Sequence, residues 1–370
     1  MKKATIPIDK EELDEFIKQV EIYIATHYNH ISLNSVSLVD GSAGVLLFYA
    51  YLYQTYQQGE YFEKFSALLE SSIDFLEQYP TDSSLAYGFT GLFWVIQHLI
   101  NNGILQQETQ QMLEPLLETV IQSCKSDYET GNFDLLVGLI GKGVYFMEGY
   151  YLTENKNALE QTVYYLSQLA SSIPYVASKN TSIAYLKNQS EYTAKPHTAK
   201  GQAAKPEHFS VNLGMAHGVP SIISFLSKVH QKGIATSLCR NLVDSEIQAL
   251  LANQSPRGIS LFPINSNSTA ESRLAWCHGD LGPALSLFHA GLAFNNQSWT
   301  DSGIEIALLA SKRTINNSGI IMHPNMSVYD TGFCHGTSGV AHIFHRFYQS
   351  TGLDEFSKCA LYWLDHTEMV

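Results

Sequence analysis

Apolar residues recur along this chain at three- and four-residue spacing, the mark of helices that bury one face. Leu13, Phe16, Ile17, Val20 and Ile24 form the first such stripe, with Asp9 and Glu12 in capping-box spacing ahead of it. The same pattern predicts amphipathic helices at about 61–78, 106–124, 155–171, 235–253, 297–312 and 353–367. Period-two alternation, which would announce strands, is scarce. Between the amphipathic segments lie runs that are apolar nearly all round, such as VLLFYAYLY after Gly44 and LFWVIQHLI after Gly91. A helix without a polar face needs cover on every side.

Each apolar run is introduced by a Gly-x-x-Gly step. The copies are Gly41–Gly44, Gly88–Gly91, Gly138–Gly141, Gly279–Gly282 and Gly336–Gly339, and a fourth in chain order, Gly218-Val219-Pro220-Ser221, ends in serine. Glycine allows tight turns and close backbone approach. Seven amphipathic helices alternating with six apolar ones predict an all-α fold, an α/α toroid whose inner helices start at the glycine steps. If the inner helices run parallel, their starts converge on one face. Residues 1–370 read as a single toroid domain. The polar, lysine-bearing stretch 173–212 lacks helical periodicity and reads as a long loop or small insertion, either lining the rim of that face or solvated with no role there.

Composition narrows the class. With 45% hydrophobic and 15% charged residues the chain is expected to be globular. A formal net charge of -13 argues against a nucleic-acid partner, which needs a concentrated basic face. No uninterrupted apolar stretch of about 18 residues occurs, and the N-terminus turns acidic where a signal peptide needs its apolar centre, so a cytoplasmic protein is expected. The five cysteines are irregularly spaced and give no disulfide framework.

The chemistry sits in one register of the repeat. Cys277 and Cys334 each lie two residues before the first glycine of a step, and His278 and His335 lie one before. His217 lies one before Gly218, and Asp134 four before Gly138. Equivalent positions in a closed ring face a common centre, so these residues are expected to meet. Two cysteines and one histidine supply three ligands for a tetrahedral zinc and leave the fourth position open, as in catalytic zinc sites. Copper and iron accept the same ligand types. Cys124, Cys239 and Cys359 stand outside the register and read as small buried hydrophobes.

Three segments carry a family resemblance: Ala-Trp-Cys-His-Gly-Asp-Leu-Gly from Ala275, Gly-Phe-Cys-His-Gly-Thr-Ser-Gly from Gly332, and Asn-Leu-Gly-Met-Ala-His-Gly from Asn212. They resemble the lanthionine synthetase C-like family, cyclases that close thioether rings in lanthipeptides, and the likeness extends from about Gly41 to Gly339. The resemblance implies an α/α toroid and zinc held by Cys277, Cys334 and His335. It implies that His217 and Asp134 take part in proton transfer or its support, with Arg273 near the site. His278 stands where many bacterial members have tyrosine, and it joins the catalytic candidates. The implied substrate is a dehydrated precursor peptide, and the implied partners are a lanthipeptide dehydratase and an ABC transporter, in a complex that would bring the protein to a membrane. Family members usually carry a seventh glycine step, and this sequence shows none before Val370. A different closure, a partner in the gap and a shortened member all stay open.

The expected chemistry is addition of a substrate cysteine thiolate to the β-carbon of dehydroalanine or dehydrobutyrine. His217 would accept the thiol proton or deliver one to the α-carbon, Asp134 would orient it, and Arg273 would stabilise the enolate oxygen. The alternative from another class is a non-catalytic protein that uses zinc to hold a thiol peptide or glutathione. Protein prenyltransferases also activate a peptide thiol on zinc in an α/α barrel, but their motifs differ from those here. A glycosidase of this architecture needs paired carboxylates, and Asp134 has no evident partner in the sequence.

Overall fold

The computed structural model describes residues 10–31, 35–172, 182–183, 210–255, 258–323 and 328–368. Among these, thirteen α-helices follow one another: α1 (Lys10–Ile31), α2 (Ser42–Tyr56), α3 (Gly59–Gln78), α4 (Phe89–Asn101), α5 (Gln110–Thr130), α6 (Leu139–Glu148), α7 (Thr153–Ser172), α8 (Val219–Gln231), α9 (Thr236–Ala252), α10 (Leu281–Phe294), α11 (Gln297–Ala310), α12 (Thr337–Thr351) and α13 (Asp354–Glu368). The single strand pair is two residues long on each side, Met322–His323 against Val328–Tyr329. The expected alternation holds. Even-numbered helices follow the glycine steps, and odd-numbered ones match the amphipathic segments to within a few residues. The capping pair Asp9 and Glu12 lies outside the described residues. No helix among the described residues is long and apolar enough to cross a membrane.

Burial separates the two helix types. Helix α4 buries nine of its 13 residues, among them Leu92, Phe93, Val95, Ile96, Leu99 and Ile100, whereas α3 fully buries only Phe65 and Ser72. Each apolar helix of the second half packs on the amphipathic one after it: α8 on α9, α10 on α11 and α12 on α13. In the first half α2 packs on α3 and on α4, and α4 packs on α6. The chain gathers into two compact units, Lys10–Tyr165 and the described residues from Leu166 onward. Each unit contains three of the six glycine steps.

The steps share one loop geometry. The N–H of the residue after the first glycine donates to the carbonyl seven residues before it: Ser42 to Ser35 (2.9 Å), Phe89 to Asp82 (3.0 Å), Leu139 to Asn132 (3.0 Å), Val219 to Asn212 (3.1 Å) and Thr337 to Asp330 (2.9 Å). That bond folds the loop over the glycine. A Cβ at Gly41, Gly138 or Gly336 would meet the same carbonyl oxygen at 2.6, 2.6 and 2.5 Å. The second glycine meets another carbonyl, that of Leu38 for Gly44 (2.5 Å) and of Phe333 for Gly339. Crowding, and not an unusual backbone angle, selects glycine here, because Gly41, Gly88, Gly138, Gly218 and Gly336 are all extended. Gly279 differs, with φ +83. Ser221 takes the second place of its step by turning its hydroxyl onto the Gly218 carbonyl at 2.7 Å.

Three cysteines behave as packing residues. Burial raises the thiols of Cys124, Cys239 and Cys359 to about 12, so they stay protonated. The insertion expected at 173–212 falls mostly outside the described residues, but Ser182 and Ile183 are placed. The Ser182 hydroxyl and the Ile183 N–H donate to the Glu246 carboxyl of α9, at 2.5 and 2.9 Å. Glu246 is fully buried, and burial raises its pKa from 4.5 to about 7 against the pull of those two donors.

Two predictions follow from this packing. Gly339→Ala should lower unfolding free energy by about 1–3 kcal/mol, because the methyl enters a fixed carbonyl, whereas Gly59→Ala, with nothing near its Cβ, should be neutral or stabilising by up to about 1 kcal/mol; urea midpoints compare them. For Glu246 the folded state favours the protonated carboxyl. Its contribution is therefore full below about pH 4.5 and lost as pH rises through about 7. Glu246→Gln should stabilise the protein by roughly 1–3 kcal/mol at pH 8 and by much less at pH 4.5, read from thermal or urea unfolding at the two pH values.

Candidate metal centre

The loops of neighbouring steps are stitched together by main-chain bonds. In the first unit Leu38 and Val39 both donate to the Ala86 carbonyl (3.0 and 3.2 Å), and Ala86 donates to that of Leu136 (2.9 Å). In the second unit the same register reappears between the fifth and sixth steps. Trp276 and Cys277 both donate to the Cys334 carbonyl, at 3.2 and 3.3 Å. The residues two before the glycine are thereby set side by side. In the first unit these are Val39 and Ala86, and in the second they are Cys277 and Cys334.

One sulfur each from Cys277 and Cys334 and one ring nitrogen of His335 lie within 4.8 Å of one another. Zinc bonds of about 2.3 Å to sulfur and 2.0–2.1 Å to nitrogen would put tetrahedral ligand atoms roughly 3.5–4 Å apart, so this donor set fits zinc with a small closure. All three are free of disulfide or other covalent use. Cys277 is buried, and the other two are partly exposed. The Cys277 thiol is lowered from its ordinary value, chiefly because its sulfur accepts from the Cys334 thiol, with His335 and Arg273 acting in the same direction against burial. The Cys334 thiol is raised correspondingly.

His335 has an orienting partner. Its Nε2 lies 3.1 Å from Asp330 Oδ2, which leaves Nδ1 as the nitrogen open to a metal. Asp330 performs a second task, because its Oδ1 accepts from the Gly332 N–H at 2.8 Å and ties the turn. It lies six residues before Gly336, where other steps carry Ser35, Asp82 and Asn212. Their side chains accept from the main chain two residues on, at 3.2, 2.6 and 2.9 Å. Asp330 escaped the sequence reading for that reason: at its position the repeat ordinarily asks only for a turn-former.

Arg273 occupies the same position in the fifth step, where its side chain is released from turn duty. Its charge reaches Cys277, Cys334 and His278. The main chain on both sides of it is anchored. Buried Arg313 donates through Nη2 to the carbonyls of Ser272, Asn317 and Ser318 (2.9, 3.0 and 3.0 Å), and Leu274 N–H donates to Ser318 (2.7 Å). Asp280, fully buried, holds the Leu261 and Phe262 N–H groups at 2.9 Å each. Neither Arg313 nor Asp280 was marked by the motif register.

His278 follows Cys277 and is half-buried. Burial first, then the charges of Arg273, His217 and His335, lower its pKa from the usual imidazole value. His217 sits one residue before Gly218, within electrostatic reach of His278. Asp134 lies in the first unit and is fully buried. Its Oδ1 accepts from Leu136 and Val137 N–H at 2.8 and 3.0 Å. Ser37 and Ser84 hold the equivalent place in their steps and also cap the turn with their oxygens.

The sequence model of the lanthionine synthetase C-like protein family matches residues 32–367. The chain belongs to the lanthionine synthetase C-like family. All six steps and every candidate donor fall inside the match. Among solved structures, one titled nisin cyclase superposes with a TM-score of 0.75 at 18% identity, covering 98% of this chain and 88% of that one. At this identity the likeness concerns the fold, and it bears out the all-α toroid expected from the helix pattern.

Asp330→Asn keeps an oxygen for the Gly332 N–H but removes the carboxylate facing His335. It should weaken zinc binding by about 10–100-fold with little change in helix content, measured by competition with a coloured chelator and by circular dichroism.

Proposed function

We propose that this lanthionine synthetase C-like protein is a peptide cyclase that joins cysteine thiols to dehydroalanine or dehydrobutyrine residues, forming lanthionine and methyllanthionine rings. The observation that carries the reading is the convergence of Cys277, Cys334 and His335 within 4.8 Å in a member of this family. The solved neighbour is a cyclase by its title. Zinc would be held by those three side chains, and bound there it would keep a substrate thiol deprotonated at neutral pH.

The remaining work falls to the protein's own groups. The substrate sulfur forms a bond to the β-carbon, the double-bond pair moves toward the adjacent carbonyl, and a proton must reach the α-carbon. His217 takes the thiol proton or supplies the α-proton. His278, held neutral by burial, has one ring nitrogen to accept and one to donate. Arg273 places positive charge where the carbonyl oxygen gains negative charge. Asp134 is assigned a supporting part, since its carboxylate fixes the loop that carries it. The substrate's alkenes arise by loss of water from serine or threonine, so a dehydratase acts first. A cytoplasmic setting, alongside that dehydratase and an ABC transporter at the membrane, belongs to the same proposal.

Cys277→Ala, Cys334→Ala and His335→Ala should each lose zinc and cyclisation together, followed by metal analysis and mass spectrometry of a dehydrated peptide after thiol alkylation. Full ring closure by a metal-free variant overturns the proposal. Retained zinc with every peptide thiol still alkylatable identifies a thiol-peptide or glutathione binder instead. His217→Ala should keep its zinc and slow closure by about 10²–10⁴-fold.

A further inference from the structure

A cavity of about 220 Å³ opens between α10 and α12, and two of its walls are next in sequence to the cysteines of the metal centre. Those walls are Trp276 and Phe333, each the residue immediately before a cysteine of the donor set. Phe288 and Phe347, 5.4 Å apart between ring centres, form its depth. Arg346 lines it as well, its Nη1 donating to Gln349. His289, also in the lining, is lowered to about 4 by burial and by the charges of Lys228 and Arg346. At neutral pH it is uncharged. Phe333 is 57% exposed, a large ring left open to solvent beside the donors.

The size points to one side chain. Sites for separate small molecules usually enclose about 300–1,000 Å³, more than this cavity offers. Successive Cα atoms of a peptide lie about 3.8 Å apart, so a residue next to a cysteine held at Cys277 and Cys334 reaches the adjoining Trp276 and Phe333 wall.

We infer that this cavity receives the side chain flanking the reacting cysteine of the peptide substrate, and that it selects a bulky apolar residue, aromatic before aliphatic. Four aromatic walls bury such a ring edge-on or offset, and Arg346 meets its face. An acidic flanking residue would meet Arg346 but bury nothing against the four rings. The inference rests on the reading of Cys277, Cys334 and His335 as the place where the substrate thiol binds.

The test uses the zinc-loaded full chain and five-residue peptides with one cysteine flanked by Phe, Leu, Ala or Asp, none dehydrated, so that binding is read without turnover. Competition against a fluorescent thiol peptide should rank Phe above Leu above Ala, with Asp below Phe and with Phe at least about tenfold tighter than Ala. Leu285→Trp and Ser350→Trp fill the cavity from its less buried side. Each should reduce the Phe preference to within about twofold while keeping one zinc per chain. Equal affinities for all four peptides on zinc-loaded protein overturn the pocket and leave the cyclase reading standing. Failure to bind zinc or any thiol peptide overturns the site itself, and the pocket with it.

Discussion

A single carbonyl organises the centre of this protein. The oxygen of Cys334 accepts from two consecutive N–H groups, those of Trp276 and Cys277. This fixes the two loops at a distance and register that no side chain sets. Main-chain hydrogen bonds in a packed setting add little net stability each, but a lost partner for a buried N–H is costly, so the register is held firmly. The residues around the two cysteines inherit their placement from that junction: His335 one residue on, Trp276 and Phe333 one residue back, and Arg273 at the head of the loop.

The loop architecture treats its positions unequally. Six residues before the glycine a small polar side chain usually ties the turn, as Ser35, Asp82 and Asn212 do. The fifth step gives that position to Arg273, and its loop is tied instead by Arg313 from outside and by the step's own Asp280, which holds the segment at Leu261. The sixth step keeps its aspartate and uses the second carboxylate oxygen to face His335. In this way a turn residue becomes an orienting residue without any change of backbone. Asp134 shows the reverse economy: a charged group in the place of Ser37 and Ser84, making the same kind of turn bond.

Much of this was legible in the sequence because helical periodicity and glycine spacing are local signals. The apolar run after Gly91 and the stripe along α3 gave the two helix types directly, and the shared register of Cys277, Cys334, His278 and His335 pointed to a common site. What stayed hidden depends on the third dimension. Arg313 lies in no motif, and only the fold reveals that it grips the carbonyl beside Arg273. Asp330 stands at a position where the repeat needs only a turn-former, so nothing local marks its second role. The glycines were legible as a pattern and in their cause, close backbone approach, but the partner needed the fold: at Gly41 the angle is ordinary and the obstacle is the Ser35 oxygen folded over it.

The stitched junction between the first and second steps has an implication for protein engineering. Val39 and Ala86 stand where the fifth and sixth steps have their cysteines, joined by the same paired donation to one carbonyl, and Tyr87 stands where His335 does. Asp82 already occupies the place of Asp330, with one oxygen on its own turn. The first unit thus carries a blank copy of the metal centre, with the scaffold laid down and the donors missing. Three substitutions, Val39→Cys, Ala86→Cys and Tyr87→His, would write the donors onto it.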